Sequence, residues 1–526
     1  MDTELTQDER NRVRPYVTSV DGPVFALTNL PETVKGALFA RYSRSPKPLR
    51  RLLLDEFLAD APPPAAGEGP GARRADALYG RVLSDYGDDS VAQLGAAHVA
   101  VEGVSNVLTK VLQWGRLASY LEQSTRYIAY SDRPGGRYRY HVPAEVKAHA
   151  GLAAEYVATL DRAFDAYADM IPALVGYWDG VVPASVARDA AHQRAVRARA
   201  LDSVRGVLPA ATTSNMGIMA SGQAYEALIV RLRAHPLAEA RAAGDGILAA
   251  LRDVIPAFLT RADRSDRGER YGAYMARTNA DMEAVARGLW PDPPLSHDAD
   301  VVLVDFDPDG EERVVAHALW PHSGMPLAKV RDRVHRMTAA ERRDVLAAYR
   351  GTRSDRREKP GRALEATTYT FDIVCDYGAY RDLQRHRLLT LQAQPLSPHL
   401  GWTMPEEVEA AGRGDAYARV MEESAALHGA IAAVDRAAAP YAVSLAHRVR
   451  FSLTLNAREA MHLIELRSQP QGHTSYRAVA QRMQRAIDEV AGHHALAEMM
   501  EFTDHSDDAL GRLASERRAA AREASR

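Results

Sequence analysis

The chain has 526 residues, with 66 Lys and Arg against 69 Asp and Glu and a formal charge of −3; this allows two or more domains and a sizeable core, and excludes a global basic field for nucleic acid. Its single cysteine, Cys375, excludes an internal disulfide and any cysteine-based zinc site. The polar start Met1-Asp2-Thr3-Glu4 lacks a signal-peptide core, and no apolar run approaches the ~20 residues that span a bilayer, so the expectation is a soluble, cytoplasmic protein with no nucleic-acid or membrane partner and no metal.

In chain order, 61–73 is rich in Pro and Gly and reads as a mobile insertion. Helical spacing of apolar residues predicts helices over 152–175, 189–208 and 224–259. The run Pro291-Asp292-Pro293-Pro294 reads as a boundary. Beyond it, 300–306 and 313–319 flank Asp307-Pro308-Asp309-Gly310 and read as a hairpin. A helix is expected over 339–350 and a charged loop over 352–361. The β-branched and aromatic run 367–376 reads as a buried strand leading towards Arg385, and 475–500 as another helix. The last dozen residues read as a fraying helix or tail. A cut near Pro291 leaves halves over 20–290 and 298–505, with a tail over 506–526. Each half shows a strand-like segment, an arginine motif and a long helical region, which points to one duplication and not to a solenoid.

The two arginine motifs are complementary. Trp114-Gly115-Arg116 begins a segment that ends in Glu122-Gln123-Ser124-Thr125-Arg126-Tyr127. Arg385-His386-Arg387 begins a segment that ends in Pro395-Leu396-Ser397-Pro398. With Arg116 set against Arg387, Arg126 falls opposite Ser397 and Leu112-Gln113 lies over Leu383-Gln384. The first copy keeps the tail and the second keeps the head. Arginine suits phosphate because its planar fork donates two parallel charge-assisted hydrogen bonds. Three cations in Arg385-His386-Arg387 repel one another unless an anion lies among them. Taken alone, either cluster also reads as a solvated, ion-paired surface. A third block, Asn456-Ala457-Arg458 through Leu466-Arg467 to His473, puts Arg458 and His462 four apart on one helical face.

These residues resemble the flavin-dependent thymidylate synthases, whose motif reads R-H-R-x-x-S-x-N-E-x-S-x-R-Y, followed by T-V-N-A-R, L-R and H. The resemblance identifies the chain as a tandem-duplicated member: an α+β fold of two copies, helix-rich, each a small sheet with long helices. Val204-Arg205-Gly206-Val207-Leu208-Pro209 is similar to the family's A-R-x-V-L-P segment, and Gly87-Asp88-Asp89-Ser90 to its G-H-E-[ST] segment. The resemblance implies a nucleotide substrate, dUMP, held by Ser124, Arg126, Arg205, Arg385 and Arg467. It implies FAD held by Ser90, Arg385, His386, Arg387, Asn456, Arg458, His462 and His473, with Arg467 and Glu122 as catalytic groups. The reaction implied is reductive methylation of dUMP to dTMP, with methylenetetrahydrofolate and NADPH as co-substrates, in a homodimer that forms a pseudo-tetramer. Departures such as Asp88, Leu121 and Asp382 leave room for another uridine nucleotide such as UMP, or for a non-catalytic flavin- or nucleotide-binding paralogue. Cys375, in an apolar run with no adjacent base, reads as a core residue and not as a nucleophile.

Overall fold

A computed structural model describes residues 5–42, 45–58, 93–126, 128–183, 185–290, 300–506, 511 and 513–524. The Pro/Gly-rich run 61–73, the expected boundary at 291–297, Ser90 and Tyr127 lie outside those residues.

Seven strands form two sheets among the described residues. The first sheet has the order β1-β3-β2, from Ala96–Ser105 (β1), Ala118–Glu122 (β2) and Thr213–Ser221 (β3). The second has the order β4-β5-β7-β6, from Val301–Phe306 (β4), Thr368–Asp376 (β5), Leu389–Ala393 (β6) and Arg448–Asn456 (β7). Helices interleave with these strands, among them α1 (Ala150–Val181), α2 (Ala190–Val204), α3 (Gly222–Arg233), α4 (Gly310–Ser323), α5 (Tyr377–Leu383), α6 (Ala457–Arg467), α7 (Thr474–Glu489) and α8 (Leu513–Ala524).

The two sheets repeat one register. Ala118 faces Ala220 across β2 and β3, and its counterpart Leu389 faces Leu455 across β6 and β7. β3 and β7 each end on a side-chain helix cap: Ser221 accepts from Ala224 N, and Asn456 accepts from Glu459 N. The pairing suggested by Arg116 and Arg387 is therefore kept by the strand ladders of both copies.

The chain forms two compact units that cross the sequence halves. One contains 1–104, 111–123 and 214–292. The other contains 105–110, 124–213 and 293–526, so a long piece of the first half packs with the whole of the second. In this second unit β5, flanked on both sides in the sheet, alternates so that Tyr369, Phe371 and Ile373 are buried. α1 buries Tyr156, Leu160, Phe164, Tyr167, Met170, Leu174 and Trp178, a helical stripe that packs on α2 and on the helix Gly414–Ala432. Cys375 is buried in the same core, as its apolar run suggests.

Several expected elements differ. The hairpin is absent: 313–319 lies inside α4. Gly310 is required for close packing and not for a turn, since a Cβ there would come within 2.5 Å of His493 Cε1 and 2.6 Å of Thr367 Oγ1. Val314, Val315 and Ala318 bury one helical face, while Glu311 and Glu312 sit in the first turn, favourable to the helix dipole. The expected helix over 224–259 breaks at His235-Pro236, because proline cannot continue the ladder, and resumes as Ala238–Arg252. The helix expected over 475–500 stops at Glu489; Gly492 takes φ +68° and a short helix, His494–Glu498, follows. The tail is not fraying at 513–524: α8 docks on α2 through Arg194–Glu516 at 3.3 Å and Arg517–Asp189 at 3.4 Å.

Candidate functional site

Every described site residue except Glu122 falls in the second unit, although Ser124, Arg126 and Arg205 come from the first half of the sequence. Glu122 belongs to the first unit, at the end of β2, where it accepts from Gln113 Nε2 at 2.9 Å.

Asp382, Arg385, His386 and Arg467 form the heart of the cluster. His386 is buried; its Nε2 lies 3.0 Å from Arg467 Nε and its Nδ1 lies 2.9 Å from Glu459 Oε1. Because Arg467 can only donate, Nε2 must be the acceptor and Nδ1–H donates to Glu459. Burial, with Arg467, Arg385 and Lys359 nearby, holds His386 well below its ordinary pKa, so the ring is neutral. Burial likewise raises Glu459 and lowers Arg467, the latter partly offset by Asp382. Asp382 contacts Arg385 and lies 3.5 Å from Arg467. Burial would raise this carboxyl, but Arg385, Arg467, Arg205 and Arg126 together hold it well below the usual carboxylate range. Arg385 also donates to Arg381 O at 3.2 Å and stays 40% exposed. Arg387 is half-buried beside it.

The pieces from the first half sit around Asp202. Arg126 grips that carboxylate with Nε at 2.7 and 2.9 Å and Nη2 at 2.6 Å. Its remaining donors reach Tyr476 Oη at 3.2 Å and Gln471 O at 3.0 Å. The fork expected to meet a substrate phosphate is thus spent on protein acceptors. Ser124 Oγ accepts from Arg126 N at 3.2 Å and shapes the turn. Arg205, one turn beyond Asp202, has the opposite character. It is only 4% exposed, and its Nη2 has no acceptor among the described residues. Gly378 makes room for it, since a Cβ there would lie 3.4 Å from Arg205 Nη2 and 3.0 Å from Asp376 Oδ1.

His473 caps α7, accepting from Ser475 N at 3.2 Å, while Ser475 Oγ donates to Asp376. Burial, with Arg205 nearby, pushes His473 down to about 4. Asn456 uses its side chain as the cap of α6. Arg458 donates to Pro360 O at 3.2 Å and lies 3.8 Å from Glu365. His462, pushed down to about 4 by burial, lies 2.5 Å from Lys359 Nζ, so its Nδ1 accepts. His386, Glu459 and His462 lie close enough to hold a metal. Arg467 and Lys359 already donate to the two imidazoles, and their charge disfavours a cation there.

Sequence reasoning did not single out Asp202, Asp376, Lys359, Glu459, Ser475 or Tyr476. The available signals were positional: Asp202 is one helical turn before Arg205, and Tyr476 stands three residues after His473.

Two sheets of one register and an arginine cluster assembled from both halves define a tandemly duplicated α+β chain with a composite site. The profile of the thymidylate synthase complementing protein family matches residues 40–257 and again 302–493, and the chain belongs to that family. It is 35% identical over 530 residues to a UPF0159 protein of Chlamydia muridarum, covering 98% of both chains. It is 37% identical over 524 residues to one of Chlamydia pneumoniae, again covering 98% of both. A Thermoplasma acidophilum UPF0159 protein is 30% identical, over 92% of this chain and 97% of its own. The duplicated length is thus common to these relatives. Among solved structures, the flavin-dependent thymidylate synthase ThyX of Helicobacter pylori, complexed with FAD and dUMP, is 15% identical with TM-score 0.28, covering 39% of this chain and 99% of that one. No helix among the described residues is long and apolar enough to cross a membrane.

Proposed function

We propose that the chain is a flavin-dependent thymidylate synthase that methylates dUMP reductively to dTMP, taking the one-carbon unit from methylenetetrahydrofolate and reducing power from NADPH through FAD. The observation that carries this reading is Arg205, a buried guanidinium with an unspent donor inside a cluster drawn from both copies of the family. An unspent buried donor is costly unless a ligand supplies its acceptor.

In this reading Arg205 and Arg385 hold the nucleotide phosphate, and Arg126 fixes Asp202 and Tyr476 around it. Ser124 orders the turn that presents Arg126. Asp382 does not oppose the phosphate as a lone acid, because its charge is matched by Arg385 and Arg467. Arg467, oriented by His386 and Asp382, meets the uracil and stabilises negative charge there. Glu122 and Ser90 are assigned a catalytic and a flavin-contacting role respectively.

Lys359 and Arg458 stand beside the neutral imidazoles of His386 and His462, and Glu459 and Glu365 offset part of their charge, a set that suits an anionic cofactor. FAD, when bound, would supply electron transfer to the one-carbon unit, and His386, Arg387, Asn456, Arg458, His462 and His473 would hold it. The assembly proposed is a cytoplasmic homodimer.

The test is release of the C5 hydrogen from dUMP by full-length, flavin-loaded protein, with NADPH and methylenetetrahydrofolate varied. FAD- and NADPH-dependent release from dUMP supports the reading. Release from UMP alone would move the assignment to another uridine nucleotide. Flavin binding with no release from either would make the protein a non-catalytic paralogue.

A further inference from the structure

The first unit also carries an arginine with covered donors and no carboxylate partner among the described residues. Arg231 stands in the last turn of α3 and is half-buried; its Nε and Nη2 are fully covered and have no acceptor among the described residues. It has no carboxylate partner there either, and burial lowers its pKa against an opposing influence from Tyr120. A basic residue in a final helical turn is favoured by the helix dipole, which accounts for its charge type. That does not account for covered N–H groups with nothing to donate to, since a buried charge left unpaired is strongly destabilising.

The surroundings are built closely around it. A Cβ on Gly115 would lie 3.7 Å from Arg231 Nη2 and 2.7 Å from Tyr120 Oη. Tyr120 Oη donates to Gly115 O at 3.3 Å. Gly115 aligns with His386, and the arginine that meets His386 is Arg467, near the end of the corresponding helix. There Asp382 lies 3.5 Å away as counter-charge. The residue aligned with Asp382 is Val111, so the first copy keeps a guanidinium against its motif loop and lacks the acid. The same loop presents Trp114 and Leu117 to solvent, at 41% and 75% exposure, an apolar surface on which a ring can rest.

We propose that Arg231, with Tyr120 and the backbone around Gly115, forms a second ligand site in the first unit, for a small phosphate ester with an aromatic body. The site is independent of the reaction proposed for the second unit.

Equilibrium dialysis of full-length protein with labelled dUMP tests it, with inorganic phosphate as competitor. Wild type should bind two per chain, Arg231→Gln and Arg205→Gln one each. Loss of the charge-assisted bonds should weaken the first-unit site about 10- to 100-fold. If phosphate alone competes at that site, the anion is the recognised element; if only nucleotides compete, the ring contributes too. One bound dUMP in wild type, lost only in Arg205→Gln, would overturn this inference and leave the dUMP reading standing. One bound dUMP, lost only in Arg231→Gln, would do the reverse. Melting gives a second check. Phosphate should raise the melting temperature of wild type and of Arg205→Gln but leave the Arg205→Gln, Arg231→Met double variant unmoved, and without phosphate Arg231→Met should melt no lower than wild type. A wild type indifferent to phosphate, with a variant that melts lower, would make Arg231 structural and overturn the site.

Discussion

Removing one partner of the Arg126–Asp202 pair separates a structural clamp from a phosphate ligand. The carboxylate is 5% exposed and the guanidinium 15%, and two N–H donors meet the two oxygens at 2.6 to 2.9 Å. Two unit charges at about 4 Å in an effective dielectric of about 20 attract by about 4 kcal/mol. Breaking a buried pair from one side costs about 3–5 kcal/mol, because the remaining charge has lost its counter-ion. Arg126→Ala leaves Asp202 facing Arg205 alone, which offsets part of that cost. For a unit as large as this one, ~1 kcal/mol moves the melting point by about 1.5 °C, so ~4 kcal/mol gives a fall of about 6 °C. Asp202→Asn should also destabilise, while Arg126→Met with Asp202→Leu should recover most of the loss, since replacing both partners removes both desolvation costs. The assay is thermal melting of the four proteins at low and high salt. If Arg126→Ala melts within about 2 °C of wild type and the double variant shows no recovery, the clamp is not what fixes Arg126. Its fork would then be free to exchange Asp202 for a phosphate.

Other consequences follow from the same geometry. Arg205→Met should weaken dUMP binding about 10- to 100-fold; an unchanged Kd would place the phosphate elsewhere. His386→Phe should detach Arg467 and shift the flavin absorption spectrum of loaded protein, whereas His386→Gln, which can still accept, should keep more of the wild-type spectrum. Burial pushes His447, 1% exposed, down to about 4. A depressed folded-state value means the unfolded chain takes the proton first, so its contribution is lost as pH falls from about 6.5 towards 4, at about 1.4 kcal/mol per pH unit. Urea melts across that window should show the slope, and His447→Gln should shallow it; a pH-independent stability would contradict the burial argument.

What the sequence revealed and hid follows from the range of the forces involved. The register of the two arginine segments was legible because strand pairing preserves side-chain order: Leu389 opposite Leu455 repeats Ala118 opposite Ala220. The charges that decide the site were not legible. Asp202 and Arg126 are 76 residues apart, and nothing local to either announces the pair. Gly310 misled because glycine serves both turns and close approaches, and only the packed neighbours His493 and Thr367 distinguish them. The interval 190–204 was readable as a helix, but not as one whose end would bring Asp202 to Arg126 and set Arg205 beside Gly378 of the other copy.

That exchange between copies constrains how far the first motif could be restored to the form of the second. Putting histidine back at Gly115 requires a Cβ where Tyr120 Oη lies 2.7 Å away, closer than packed atoms approach. Tyr120 has Leu391 as its counterpart, so the tyrosine occupies room that the second copy leaves for its imidazole. Gly115→Ala is the minimal probe. It should cost about 1–3 kcal/mol, the usual range for overpacking, and Tyr120→Leu in the same chain should return most of it. The pair of melts discriminates between two origins of the gap in the first motif. A large penalty relieved by Tyr120→Leu means glycine and tyrosine are fitted to each other around Arg231, and the loop has a packing role of its own. An alanine variant as stable as wild type means the loop yields freely, and the close fit around Arg231 is not a constraint on this half.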